Sequence, residues 1–166
     1  MAIYGVGNEY DASFKIDGNL KTSTSQFKVV GMVSGTTTAD RTVQLACNTG
    51  TYGAPTTSAH YAIGVNQSYL SSGSLDCSVR LFGISKVTCA ESITAGEFIR
   101  AYAGLSTTTR AGQIIAIDNG VSCTVATQSV TTQCVVLGRA LEDGSTGTVI
   151  SVFLNPQLYD KNLISA

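Results

Sequence analysis

Leu75-Asp76-Cys77-Ser78-Val79-Arg80-Leu81 alternates apolar and polar side chains, and beyond Phe82-Gly83 the run continues as Ile84-Ser85-Lys86-Val87-Thr88-Cys89. Alternation with a period of two marks a strand with one buried face. A glycine in mid-run predicts a bulge or bend at Gly83. Residues 41–47 repeat the signature, with Val43, Leu45 and Cys47 on one side and Thr42 and Gln44 on the other.

Working outward, short apolar or β-branched runs at 27–33, 61–65, 97–103, 113–117, 122–126, 133–137 and 148–154 read as further strands. Turn signals separate them about every 8–12 residues, the spacing of a sandwich or barrel. Helical signal is thin: residues 90–96 suffice for one turn, and Gly138 interrupts the weak helical character of 136–143. The expectation is a single all-β domain over residues 26–166. Residues 1–25 read as an extended N-terminal arm. Within it, Phe14-Lys15-Ile16 enters a tight turn at Asp17-Gly18-Asn19 and Leu20-Lys21-Thr22 leaves it. One internal echo is visible: Gly64 to Gly73 and Gly138 to Gly147 each join a short apolar strand, a polar loop and an alternating strand.

Composition narrows the function. The 166-residue chain is 43% hydrophobic but only 13% charged, against roughly 25% charged in an average soluble domain. So little charge fits a surface partly covered by a partner. Ten basic residues balance 11 acidic ones, for a net charge of −1, and no basic run exists to neutralise a phosphate backbone, which argues against nucleic acid. The N-terminus has neither the basic nor the apolar region of a secretory signal, and the apolar stretches are too short to cross a bilayer. Synthesis in a cytoplasm and no membrane partner are the expectations.

No catalytic, cofactor-binding or metal-binding set emerges. His60, the single histidine, sits in a loop of small residues and no GxSxG elbow accompanies it. The acids are scattered, and several lie in turns where a carboxylate bonds to nearby backbone. Gly5-Val6-Gly7 is too short to cradle a phosphate. Asn66-Gln67-Ser68 matches a glycosylation acceptor, which a chain made in the cytoplasm does not use. Tyr52, Tyr61, Tyr69 and Tyr102 fit a glycan-binding face or, more simply, core and interface positions. Cys47, Cys77, Cys89, Cys123 and Cys134 lack metal-ligand spacing with His60. Cytosolic synthesis favours buried free thiols, with Cys123 and Cys134 left open as a pair facing each other across a hairpin.

From residue 62 onward the chain reads Gly64-Val65-Asn66-Gln67, a loop to Gly73, Val79-Arg80-Leu81-Phe82-Gly83-Ile84-Ser85-Lys86-Val87, and Ile93-Thr94-Ala95-Gly96. It then returns with Val136-Leu137-Gly138-Arg139-Ala140-Leu141-Glu142 and a last strand from Gly147 to Leu154. In order and spacing these motifs resemble the capsid decoration (cement) proteins of tailed phages, over residues 27–156. The sequence departs from that pattern in residues 68–72, where a proline is usual, and in the length of 113–133. The resemblance implies a β-barrel or β-tulip-like fold and a virion protein on the outer surface of the head. In such a role it binds the phage major capsid protein, bridges capsid subunits and assembles with itself, often as a homotrimer. The alternative from another class is a carbohydrate-binding or adhesion module of a phage tail or fibre.

Overall fold

The computed structural model describes residues 9–17, 20–33, 41–46, 62–102, 110–117 and 133–160. Within them lie nine strands: β1 Tyr10–Ile16, β2 Val29–Met32, β3 Thr42–Leu45, β4 Ala62–Asn66, β5 Asp76–Thr88, β6 Phe98–Ala101, β7 Ile114–Ala116, β8 Gln133–Ala140 and β9 Val149–Asp160. Helix among these residues is limited to 3-10 geometry, in a short turn at Ser23–Ser25 and at Leu20 and Arg110. Residues 90–96 and 136–143 form turns and strand instead of helix.

The strands run β1-β3-β2-β4-β5, and β1 pairs again with β5, so five strands close into a barrel. The chain is therefore an all-β barrel protein, as its alternation predicts. β5 is the longest strand, at 13 residues. Its first half pairs with β1 and β4. Its second half, residues 83–88, leaves them and pairs with β9. Gly83 stands at the changeover with φ +100°, a conformation that L side chains rarely adopt. The predicted irregularity is present, but β5 passes through it as one strand and keeps its alternation.

Beyond β5 the order continues β9-β8-β6-β7. Cys89, just past β5, bridges Ile114 of β7, and Ala90 N–H donates to Ile114 O at 2.8 Å. The second set of strands thus also comes round on itself, with β5 as a stave of both. Two cores result. One, inside the five-stranded barrel, gathers Ile16, Leu20, Val30, Val43, Leu70 and Val79. The other gathers Val87, Ile99, Ile114, Leu137, Val152 and Leu154, and also Val29 and Val65 of the first barrel. β2 therefore buries Val30 inward and Val29 outward against the second core. A strand buried on both faces reads as a continuous apolar run, which is why 27–33 and 61–65 do not alternate.

The arm boundary expected at residue 25 needs correction over the described residues. Tyr10–Ile16 is β1, parallel to β3 and antiparallel to β5, and it closes the barrel. Nor does Leu20-Lys21-Thr22 return as the second strand of a hairpin: Leu20 is fully buried in the barrel core, and the 3-10 turn follows. The tip residues 18 and 19, residues 1–8 and the expected strand at 122–126 lie outside the described residues.

The internal echo visible in sequence falls on two corresponding hairpins, β4–β5 and β8–β9, and a second echo with a different offset accompanies it. Residues 89–99 and 140–150 form two matching turns related by an offset of 51 residues. Gly96 N–H donates to Ala140 O and Gly147 N–H to Cys89 O, both at 2.8 Å. Ala140 N–H donates to Glu97 O, and Cys89 N–H to Thr148 O. Between the turns Ile93 and Gly144 exchange hydrogen bonds at 2.9 and 2.8 Å. Gly96 and Gly147 have φ +92° and +82°. The reciprocal pattern is a local pseudo-two-fold that ties the β5–β6 and β8–β9 connections together.

Candidate docking surface

The outward residues of β5 are Arg80, Phe82, Ile84 and Lys86, alternating with buried Val79, Ser85 and Val87. Neighbouring strands continue them into a row. Ile84 lies opposite Phe153 of β9, Phe153 opposite Arg139 of β8, and Arg139 opposite Phe98 of β6. Residues paired in this way project from the same face of a sheet, and at ~4.8 Å per strand the row spans about 15 Å. All four are exposed; Ile84 and Phe98 keep 51% and 50% of their surface. Phe82 extends the row, packing edge-to-face on Phe153 with ring centroids 5.4 Å apart. Tyr10 of β1 stands beside Phe82 and is 61% exposed. The Arg139 guanidinium lies over the Phe98 ring at 4.4 Å, a favourable cation–π geometry.

Charges border the row in pairs. Arg80 donates from Nε and Nη2 to the two carboxylate oxygens of Asp11, at 2.7 and 3.0 Å. Its Nη1 lies 2.9 Å from a Glu9 carboxylate oxygen and also donates to Ile84 O. Hydrogen bonding to Arg80 holds the Asp11 carboxyl below its ordinary pKa, and the same bonds raise that of Arg80. On the other side Lys86 and Glu142 are 3.4 Å apart, and Glu142 also accepts from Ser151 N–H at 3.2 Å.

Of the two described tyrosine candidates, each lies on a different barrel. Tyr69 is exposed on the β4–β5 loop of the first barrel. Tyr102 follows β6 in the second and carries Arg110 over its ring at 5.6 Å. His60, Tyr52, Tyr61, Cys47, Cys123 and Gly5-Val6-Gly7 lie outside the described residues. Cys134 is on β8, and its pairing with Cys123 therefore also lies outside them. Cys77 and Cys89 are buried free thiols; burial pushes Cys77 up to about 11 and also raises Cys89. Several acids are engaged with backbone: Glu97 accepts from Thr94 N–H, Asp143 from Ala95 N–H and Glu91 from Ala116 N–H. Asn66 is fully buried, and its side-chain amide donates to Ser25 O and Ser68 O at 2.9 and 3.0 Å. It is a clamp between loops, inaccessible to a glycosylating enzyme. Among the described residues no three His, Cys, Asp or Glu side chains converge as metal ligands. Shallow depressions occur beside Phe14 and Arg41 and beside Asp143 and Val149.

The residues of the exposed row did not stand out in sequence. Their one signal was parity: Phe82 and Ile84 fall on the side of β5 opposite Cys77 and Val79. The register that aligns them with Phe153, Arg139 and Phe98 is a tertiary fact.

No known family model matches the chain, and no curated protein matches its sequence. Among solved structures it is similar to the crystal structure of the head fiber gp8.5 N base of bacteriophage phi29. The two chains are 12% identical, with a TM-score of 0.47, over 89% of this chain and 94% of that one.

Proposed function

We propose that this chain is a structural protein of a phage virion that binds the outer surface of the head and steadies it by bridging subunits of the major capsid protein. The observation that carries this reading is the exposed, mainly apolar row across a hydrogen-bonded sheet, Tyr10-Phe82-Ile84-Phe153-Arg139-Phe98. Aromatic residues and arginine dominate the energetics of protein interfaces, and contiguous exposed apolar surface marks a contact site. The decoration-protein motifs of the sequence fall on the same elements: residues 79–87 are β5, and residues 136–142 and 147–154 run through β8 and β9. In this reading the chain is not an enzyme, uses no cofactor and assembles with itself, as a trimer in the manner of the proteins it resembles. Many copies with modest contacts give strength through multivalency.

Quantitative mass spectrometry of purified virions tests the reading. Hundreds of copies, in a simple ratio to the major capsid protein, are expected. A handful of copies per particle would favour the tail or fibre adhesion reading, and absence from virions would end the structural one.

A further inference from the structure

We propose that the row containing Arg139 is the face that seats on the capsid, and that it takes a protein surface presenting a carboxylate set among apolar side chains. This rests on the capsid-binding reading and adds which face is used and what chemistry meets it.

Four cations lie in or beside the row: Arg80, Lys86, Arg139 and the half-buried Arg100, which follows Phe98 by two residues on β6 between buried Ile99 and Ala101 and, among the described residues, has no carboxylate within salt-bridge distance. Arg80 is neutralised by Asp11 and Glu9, and Lys86 is paired with Glu142. Arg139 has no carboxylate within salt-bridge distance among the described residues. Its neighbours are rings: Phe98 under the guanidinium and Phe153 beside it in register. Among the described residues, the row is thus apolar with Arg100 uncompensated at its β6 edge and, set within the row between Phe153 and Phe98, the uncompensated charge of Arg139. A purely apolar partner would strand that charge away from water, which is costly. A partner carboxylate would instead receive a planar donor fork already oriented by stacking on Phe98. The occupant is not a second copy of the same face, because a two-fold contact would bring two Arg139 side chains together. Nor is it nucleic acid, whose binding needs several cations along a backbone.

The test uses the full-length chain and heads of the encoding phage assembled without it, with co-sedimentation as the readout. Arg139→Glu and Phe153→Ser are compared with the wild type, with Arg139→Gln as a second charge variant and Tyr69→Ser as a control. Tyr69 is 71% exposed on the β4–β5 loop, away from the row. Thermal melts confirm folding for each. We expect Arg139→Glu and Phe153→Ser to weaken binding by roughly 30-fold or more, in the range seen for central interface residues. Arg139→Gln should lose less and flatten the salt dependence, while Tyr69→Ser binds as the wild type does. If wild type binds heads and folded Arg139→Glu binds equally well, the carboxylate contact is refuted. If Phe153→Ser also binds equally well, or Tyr69→Ser alone loses binding, the face itself is refuted. A wild-type chain that does not bind heads refutes the capsid reading, a separate result.

Discussion

At the scale of single residues, two glycines do the same job in two hairpins. A side chain on Gly64 would strike the carbonyl of Arg80 on β5, and one on Gly138 the carbonyl of Phe153 on β9. Both contacts are with backbone of the paired strand, which cannot swing away. Gly138→Ala should therefore destabilise the protein by about 2–4 kcal/mol, the range of severe backbone and packing substitutions. A denaturant titration checks this; an unchanged midpoint would show that β9 yields. Cys77 gives a second prediction. With its thiol raised to about 11 by burial and by the neighbouring Asp76 charge, it carries little thiolate at pH 8. Iodoacetamide should label the Cys77 peptide only as fast as the chain unfolds; rapid labelling of native protein would contradict its burial. Asp11 gives a third. Its pKa is lower in the folded state than the ordinary 3.8. The unfolded chain therefore binds the proton first as pH falls, so the Arg80–Asp11 contribution is complete above that value and is lost as pH drops through the folded pKa. Melting temperature measured from pH 5 to pH 2 should fall less steeply for Asp11→Asn than for the wild type.

At the scale of elements, β1 decides whether the first barrel is closed. The pairing of Ala12 with Val79, Ser13 with Ser78 and Phe14 with Cys77 seals β5 against β1, and Ile16 enters the core. Removing residues 1–25 should leave a chain without a cooperative thermal transition, whereas removing residues 1–8 should preserve one. A sharp calorimetric transition in the larger deletion would show that the barrel closes without β1. Sequence could not reveal this. Phe14-Lys15-Ile16 is short, and its partners, Thr42-Val43 and residues 75–77, are supplied by distant regions of the chain. Strand existence was legible wherever one face meets water: the parity of residues 75–89 and 41–47 comes from solvent on one side and core on the other. β2 and β4 also announced themselves, but only as apolar runs, because the second core covers their outer side. The pseudo-two-fold between residues 89–99 and 140–150 has only a sparse trace in sequence, Glu91 with Glu142, Gly96 with Gly147 and Ile99 with Ile150, and is carried mainly by backbone hydrogen bonds. Ala95-Gly96-Glu97 and Thr146-Gly147-Thr148 share little beyond the glycine.

At the scale of the molecule, the two cores are joined by more than the shared strand. Val29 N–H donates to Gly112 O and Thr88 N–H to Phe27 O, so the first barrel is also hydrogen-bonded to the residues that precede β7 and to the end of β5. Truncating the buried Leu154, in the second core, should cost about 2–5 kcal/mol and shift a single unfolding transition. Two separable transitions in calorimetry would show instead that the barrels melt independently. The candidate docking row was less legible than the fold: aromatic residues spread over four strands become a surface only when register is known. The continuity of β5 has a mechanical consequence. If a partner anchored to the exposed row is pulled, tension entering through Ile84 and Phe82 would run lengthwise along β5. The ladder bonds to β1, β4 and β9 lie across that direction, so they would resist together as a sheared row instead of opening in succession like a zip. A protein gripped at this strand should give way late and abruptly under force.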